Sequence, residues 1–283
     1  MKLLVIGKKG YLGSQVVRNL EDMGHWVVWA TPGTTMGPVA EQHLLEGLQN
    51  CNVIVDLTQP HQTDMEGSPW DFEAWTKSLL EAAKKAHIAH FVALSHVGVE
   101  RLRHSAFFRA KGIQESLIQK SGVPYTIVRS TPMMEYLREL VAQASFETSI
   151  RVSNARVLPI AAEDVAQLVA RRAVAGPTPL PVEIAGPEPL GLAIMLMRYL
   201  EALGNPLNVV VDPSAPYMGA TLEEHSLMPT GTPYTAYLTL GDWIQRTTDQ
   251  KHRNGLQNWL SPIKNTLTYI KLIRKFNLKQ TTI

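Results

Sequence analysis

Three glycines near the N-terminus are spaced so that they could hold a phosphate group. They lie in Gly7-Lys8-Lys9-Gly10-Tyr11-Leu12-Gly13, a G-x-x-G-x-x-G loop between an apolar run and a helical pattern. In that context Gly7 permits a tight turn and Gly10 lets backbone N–H groups approach a pyrophosphate. Gly13 lets helix and strand pack closely, and the N-terminus of the helix adds partial positive charge. A dinucleotide is the ligand this loop suits. A carboxylate at the end of the second strand would select an unphosphorylated ribose, but the residues there are Trp29-Ala30-Thr31-Pro32. Lys8 and Lys9 could neutralise a 2′-phosphate, although both equally suit a solvated loop. NADP(H) is therefore favoured over NAD(H).

Other chemistries find no support. The nine histidines include no H-x-x-x-H pair and no His/Cys grouping at ligand spacing, so no metal site is expected. His87 and His90 bracket a strand start and are expected to face solvent. There is no G-x-S-x-G elbow, and no P-loop lysine follows Gly13. Glu223 and Glu224 are adjacent and would point apart.

The elements that must position the loop follow from periodicity. Residues 2–6 form a short apolar strand, and 11–23 carry Leu12, Val16, Val17 and Leu20 on one helical stripe. Further strands are expected at 26–30, 53–57, 90–95 and 125–129, with helices at 70–86 and 105–120. This alternation implies parallel βαβ units and a Rossmann-type doubly wound α/β sheet. After residue 130 the rhythm loosens. Helices are expected at 133–146, 162–175 and up to residue 203, a strand at 182–185, and loops with short elements over 205–235. The expected organisation is a dinucleotide-binding domain at 1–132 and a smaller α/β subdomain at 133–248, interleaved with the sheet and closing over its carboxyl edge. A basic amphipathic tail occupies 249–283.

Several ordered segments resemble the atypical short-chain dehydrogenase/reductases, and among them the NmrA-like NAD(P)-binding branch. These are Val92-Ala93-Leu94-Ser95-His96-Val97-Gly98, Phe107-Phe108-Arg109-Ala110-Lys111, and Gly122-Val123-Pro124 running through Thr126-Ile127-Val128-Arg129-Ser130-Thr131-Pro132. Pro159 to Ala166, Ala185-Gly186-Pro187-Glu188 and Leu222 to Leu227 extend the resemblance over roughly residues 1–248. It implies a Ser, a Tyr and a Lys acting together, the phenol exchanging a proton with substrate. Ser95 and Lys111 match, as candidate catalytic residues, but the tyrosine position is Phe107, which has no proton to give. His96, His104, Tyr136 or Lys111 could stand in, while Ser95 and His96 are equally read as structural.

The implied cofactor contacts are Gly7 to Gly13 on the pyrophosphate, with Thr31, Leu57 and Thr58 on the adenosine side. On the nicotinamide side they are Ala93, Leu94, Ser95, Lys111, Arg129, Ser130 and Thr131. Two functions follow: reduction of a small apolar carbonyl or unsaturated substrate with NADPH, or a non-catalytic redox sensor or assembly protein acting through a protein partner. The fold family also implies pairing into a homodimer.

Composition sets outer bounds. The chain has 283 residues, 45% apolar and 18% charged, enough to bury a full core and too apolar for disorder. Cys51 is the only cysteine, which excludes a disulfide scaffold. No leader or membrane span is recognised, and a cytoplasmic location is expected. The net charge of +2 divides into −5 through residue 250 and +7 over 251–283, which has no acid. An acidic body does not suit nucleic acid. The tail suits a peripheral membrane or protein contact, or packing on its own body.

Overall fold

The computed structural model describes residues 1–31, 47–60, 71–144 and 148–254. Its centre is a parallel sheet of seven strands: β1 (Lys2–Ile6), β2 (Trp26–Ala30), β3 (Val53–Asp56), β4 (His90–His96), β5 (Tyr125–Ser130), β8 (Thr178–Ala185) and β11 (Tyr234–Thr235). The short pairs β6 (Ser149–Val152) with β10 (Asn208–Val211), and β7 (Arg156–Val157) with β9 (Leu190–Gly191), lie outside it.

The sheet is parallel because its strands are apolar on both faces. All seven residues of β4 and all four of β3 are buried. Alternate side chains feed two cores. Val5, Val55, Val92 and Leu94 meet Val16 and Leu20 of α1 (Tyr11–Asp22) and Val165 and Val169 of α5 (Ala162–Ala175). Leu4, Ile54, Phe91 and Ile127 meet Trp75 and Leu79 of α2 (Phe72–Lys85) and Ile118 of α3 (Ala106–Lys120). A third core gathers Leu137 of α4 (Tyr136–Gln143), Leu196 and Tyr199 of α6 (Leu192–Ala202) and Trp243 of α7 (Leu240–Asn254) around Phe108 and Leu102.

The strand order is β11-β8-β5-β4-β3-β1-β2. The chain leaves β1 towards β2 and returns on its other side as β3. That reversal opens a crevice beyond the carboxyl ends of β1 and β3, where doubly wound sheets bind ligands.

Four local expectations are corrected. The second helix starts at Phe72, because the Asp71 carboxylate caps it by accepting from the Ala74 N–H at 2.9 Å. The expected helix over 133–146 starts only at Tyr136. The Met134 N–H is held by Ile160 O at 2.8 Å, and Ile160 N–H by Pro132 O at 3.1 Å, so this backbone is in a bridge. β8 begins four residues early at Thr178, with a register shift against β5 between Thr126 and Val128. Pro179 and Pro181 fit there because β11 pairs only with Ile184 and Ala185, leaving their stretch of β8 without a neighbour on that side among the described residues. His90 is buried rather than solvated, its ring nitrogens within reach of Thr126 Oγ1 (2.8 Å) and Ala173 O (3.3 Å). Of the expected tail, 249–254 complete α7, and 255–283 lie outside the described residues.

Candidate functional site

The glycine loop sits on the crevice. β1 ends at Ile6, the Leu57 N–H continues its ladder by donating to Ile6 O, and a Cβ on Gly7 would lie 3.1 Å from Leu57 Cβ. α1 then starts at Tyr11 with Gly10 as its N-cap, and the N-cap side chain that usually accepts from a first-turn N–H is lacking. Gly10 has extended dihedrals any residue could adopt, and a Cβ there would meet nothing within 4 Å. The fold itself does not require this glycine, which leaves the position open to a ligand brought close to the backbone. Gly13 differs, since its Cβ would lie 2.5 Å from the Trp29 ring and 3.3 Å from Lys8 O. Trp29 also donates from Nε1 to Gly7 O at 3.0 Å, so β2 supports the loop with an indole. Sequence reasoning noted only that Trp29 is neither acid nor arginine. Lys8, Lys9 and Thr31 are exposed, Leu12 is partly buried, and Tyr11 is half-exposed close to Glu163.

Across the crevice, Leu57 and Thr58 are buried at the end of β3. Thr58 Oγ1 and Gln59 Oε1 are both buried with no hydrogen-bond partner. Unsatisfied buried polar atoms are costly and uncommon. Two of them just past β3, the strand beside the glycine loop, fit a polar ligand such as a nicotinamide dinucleotide.

Lys111 is fully enclosed on α3. Its ammonium donates to Leu94 O (2.7 Å), Thr58 O (3.2 Å) and Gln114 Oε1, which occupies all three of its hydrogens. Gln114 Nε2 in turn donates to Asp56 Oδ2 at 2.9 Å, and Asp56 Oδ1 accepts from the Thr58 N–H at 2.9 Å. Burial pushes the Lys111 pKa down to about 8 against the pull of Asp56 and Glu115. Burial also raises the Asp56 pKa, with Lys111 opposing it. Asp56 and Gln114 escaped sequence reasoning; a lone carboxylate ending an apolar strand was the available signal.

The remaining candidates split between two faces of β4 and β5. Ala93 and Leu94 are core residues on opposite faces. Ser95 donates from Oγ to Glu115 Oε1, and Arg129 binds Glu115 through Nε (3.0 Å) and NH2 (2.6 Å) and Glu100 through NH1 (3.1 Å). This cluster ties the strand ends to α3. Ser130 donates to Thr131 O and Thr131 to Leu158 O, joining β5 to the 158–160 segment. Lys111 therefore shares a network with Thr58 and Leu94, whereas Ser95 and Arg129 belong to a different one.

Phe107, in the tyrosine position, faces rings. His96 lies 5.8 Å from it edge-on, 5.9 Å from Phe108 and 6.2 Å from Tyr217, and Tyr217 is 5.0 Å from Tyr136. His96 is buried with Nδ1 unpartnered, and desolvation lowers its pKa to about 4, so it is neutral near pH 7. Burial raises Tyr136 to about 12 and Tyr217 well above its ordinary value. His104 is exposed. Among the described residues no cluster could hold a metal ion, and no helix is long and apolar enough to cross a membrane.

Comparisons with known proteins agree with this geometry. A profile of the NAD(P)H-binding family matches residues 16–173. The photosystem II assembly factor Ycf39 of Cyanophora paradoxa is 30% identical over 144 residues, covering 46% of this chain and 44% of that protein. Its counterpart from Trieres chinensis is 27% identical over 162 residues, with 50% and 49% covered. The chain thus spans about half the length of the curated relatives it matches. Among solved structures, an NADPH-dependent quinone oxidoreductase from Escherichia coli, complexed with NADPH, superposes with a TM-score of 0.65 at 15% identity, covering 87% of this chain and 99% of that one. The UDP-glucuronic acid 4-epimerase of Bacillus cereus, in complex with UDP-glucuronic acid and NAD, gives 0.64 at 16% identity, with 90% and 100% covered. These likenesses establish the fold. With the crevice between β1 and β3 and the match over more than half its length, the chain belongs to the NAD(P)H-binding family.

Proposed function

We propose that this chain, as a member of the NmrA-like branch, binds NADP(H) along Gly7 to Gly13 and reduces a small apolar acceptor that needs no proton from the protein. Gly10 and the first turn of α1 would hold the pyrophosphate, and exposed Lys8 and Lys9 would favour a 2′-phosphate. Bound there, the nicotinamide supplies two electrons as a hydride. The observation that carries the reading is Phe107, a phenyl ring in the tyrosine position that has no proton to give, with Phe108 and a His96 that is neutral near pH 7 as its ring neighbours. A simple ketone becomes an alkoxide on reduction and needs a positioned acid, an effect of about 10²–10⁴-fold. A quinone or an enone becomes a stabilised anion that solvent can protonate. The quinone oxidoreductase among the structural neighbours supports the same acceptor class. The test is NADPH consumption with a benzoquinone, an enone and a plain ketone. Turnover confined to the first two is expected, and equal or better ketone turnover would overturn the reading.

A second reading rests on the similarity to Ycf39. There the same pocket binds NADP(H) without turnover, and its occupancy is passed to a protein partner. Tight NADPH binding with no consumption in any of the three assays would favour it.

A further inference from the structure

The two edges of the seven-stranded sheet are built differently. One ends in β11, two residues long, beside a stretch of β8 that carries Pro179 and Pro181. Short edge strands and prolines are the usual guards against strand addition. The other ends in β2, whose sequence Trp26-Val27-Val28-Trp29-Ala30 holds neither a proline nor a charge. Trp26 is 70% exposed, and the rest of β2 is only partly covered. We infer that the outer edge of β2 binds the same edge of a second copy of this chain, the two strands running antiparallel about a two-fold axis.

The backbone sets the register. The Trp26 N–H donates to Met1 O and Ala30 O accepts from the Gly7 N–H, so residues 26, 28 and 30 turn their backbone groups towards β1. Val27 and Trp29 turn theirs outward, where β2 has no neighbour among the described residues. The next described residues after Thr31 are Gly47 and Leu48, and they lie with Leu4 of β1, inward of β2. With the axis at Val28, Val27 of each copy faces Trp29 of the other, and each pair exchanges both N–H···O bonds. Trp26 then stands opposite Ala30 of the other copy, a large exposed ring against a small side chain.

Charge argues for a second copy as the occupant. α1 is the crossover from β1 to β2 and packs with Leu3, Val5 and Val27 through Val16 and Leu20. It follows exposed Lys8 and Lys9 and ends in exposed Glu21 and Asp22. A two-fold axis normal to the sheet lays the two α1 helices antiparallel on one face. The basic end of each then lies towards the acidic end of the other, an arrangement that also suits their dipoles.

The test is sedimentation velocity of the full chain over a concentration series, with far-UV circular dichroism as the check on folding. Wild type is expected to rise from the monomer's mass to twice it. Trp26→Lys puts a charge at an exposed site, and Val27→Pro removes an N–H that the β1 ladder does not use. Both are expected to stay folded and to dissociate at least about 10-fold more readily than wild type. Val28→Cys sets two thiols across the axis, where the Cα atoms of a non-hydrogen-bonded pair lie about 4.5 Å apart, within disulfide reach. Mild oxidation should therefore give a covalent dimer of Val28→Cys and none of wild type, whose Cys51 is buried. A wild-type chain that stays monomeric throughout the series overturns the inference. A dimer that Trp26→Lys leaves as tight as wild type, or one in which Val28→Cys does not cross-link, uses another face and overturns it equally.

Discussion

Substituting alanine for Gly10 separates a ligand cradle from an inherited turn. The wild-type backbone at Gly10 is extended, φ −141° and ψ −176°, and its Cβ would meet no atom within 4 Å. Alanine fits the folded protein and restricts the unfolded chain, so Gly10→Ala should stabilise the free protein by about 0.4–1 kcal/mol. The methyl group would stand where a pyrophosphate approaches the first-turn N–H groups. Each charge-assisted hydrogen bond it displaces is worth about 1.5–3 kcal/mol, which is roughly 10- to 100-fold in affinity.

Gly13→Ala is the control with the opposite signature. Its Cβ would lie 2.5 Å and 2.9 Å from Trp29 ring atoms, so the indole must swing and give up its bond to Gly7 O. Overpacking costs about 1–3 kcal/mol and the lost bond about 1, offset by up to about 1 from helix propensity. A net loss of about 1–3 kcal/mol follows. The assay is a thermal melt without ligand together with an NADPH titration followed by tryptophan fluorescence, Trp29 being the reporter beside the loop. A Gly10→Ala protein that binds NADPH within about 2-fold of wild type would refute the cradle.

Three further outcomes follow from the same geometry. Phe107→Tyr places a phenol opposite His96 and should raise plain-ketone reduction towards the ~10²-fold a positioned acid supplies, with quinone turnover unchanged in steady-state assays. No rise with NADPH still bound would mean the pocket does not seat a carbonyl at residue 107. His96 has a folded pKa of about 4 and an ordinary value of 6.5, so below pH 6.5 the unfolded chain takes up the proton first. Stability should therefore drop by about 3 kcal/mol as pH falls from 6.5 to 4. Denaturant titrations of His96→Phe should show a shallower decline over that window, and a parallel one would contradict the burial argument. Gly186→Ala would set a Cβ 1.7 Å from Pro159 O, backbone that cannot swing aside, and should cost about 3 kcal/mol or more by denaturant titration.

What the sequence made legible follows its physics. Local signals carried the fold. The glycine spacing, the apolar strands on both sides of it and the alternation of periods led to a doubly wound sheet with the loop on its crevice. Boundaries failed where tertiary contacts outweighed local pattern, as at 133–135, whose backbone pairs with 158–160 instead of coiling. His90 looked solvated because a single polar residue at a strand start carries no sign of Thr126 or Ala173 across the sheet. The site was legible as far as the loop and Lys111. The partners of Lys111 were not, since Asp56 and Thr58 at the end of β3, Leu94 on β4 and Gln114 on α3 come together from three segments far apart in the chain. Trp29 was likewise read for what it is not, and its support of Gly7 and Gly13 emerges only when β2 lies beside β1.

The central claim is that the crevice binds a nicotinamide dinucleotide and prefers the 2′-phosphate. Its most direct test is a side-by-side calorimetric titration of the full chain with NADPH, NADP, NADH and NAD. The account predicts saturable binding of the phosphorylated pair, at least about 10-fold tighter than the other two, an advantage that shrinks with added salt as lysine–phosphate contacts are screened. Binding of none of the four, or tighter binding of NADH and NAD, would contradict it.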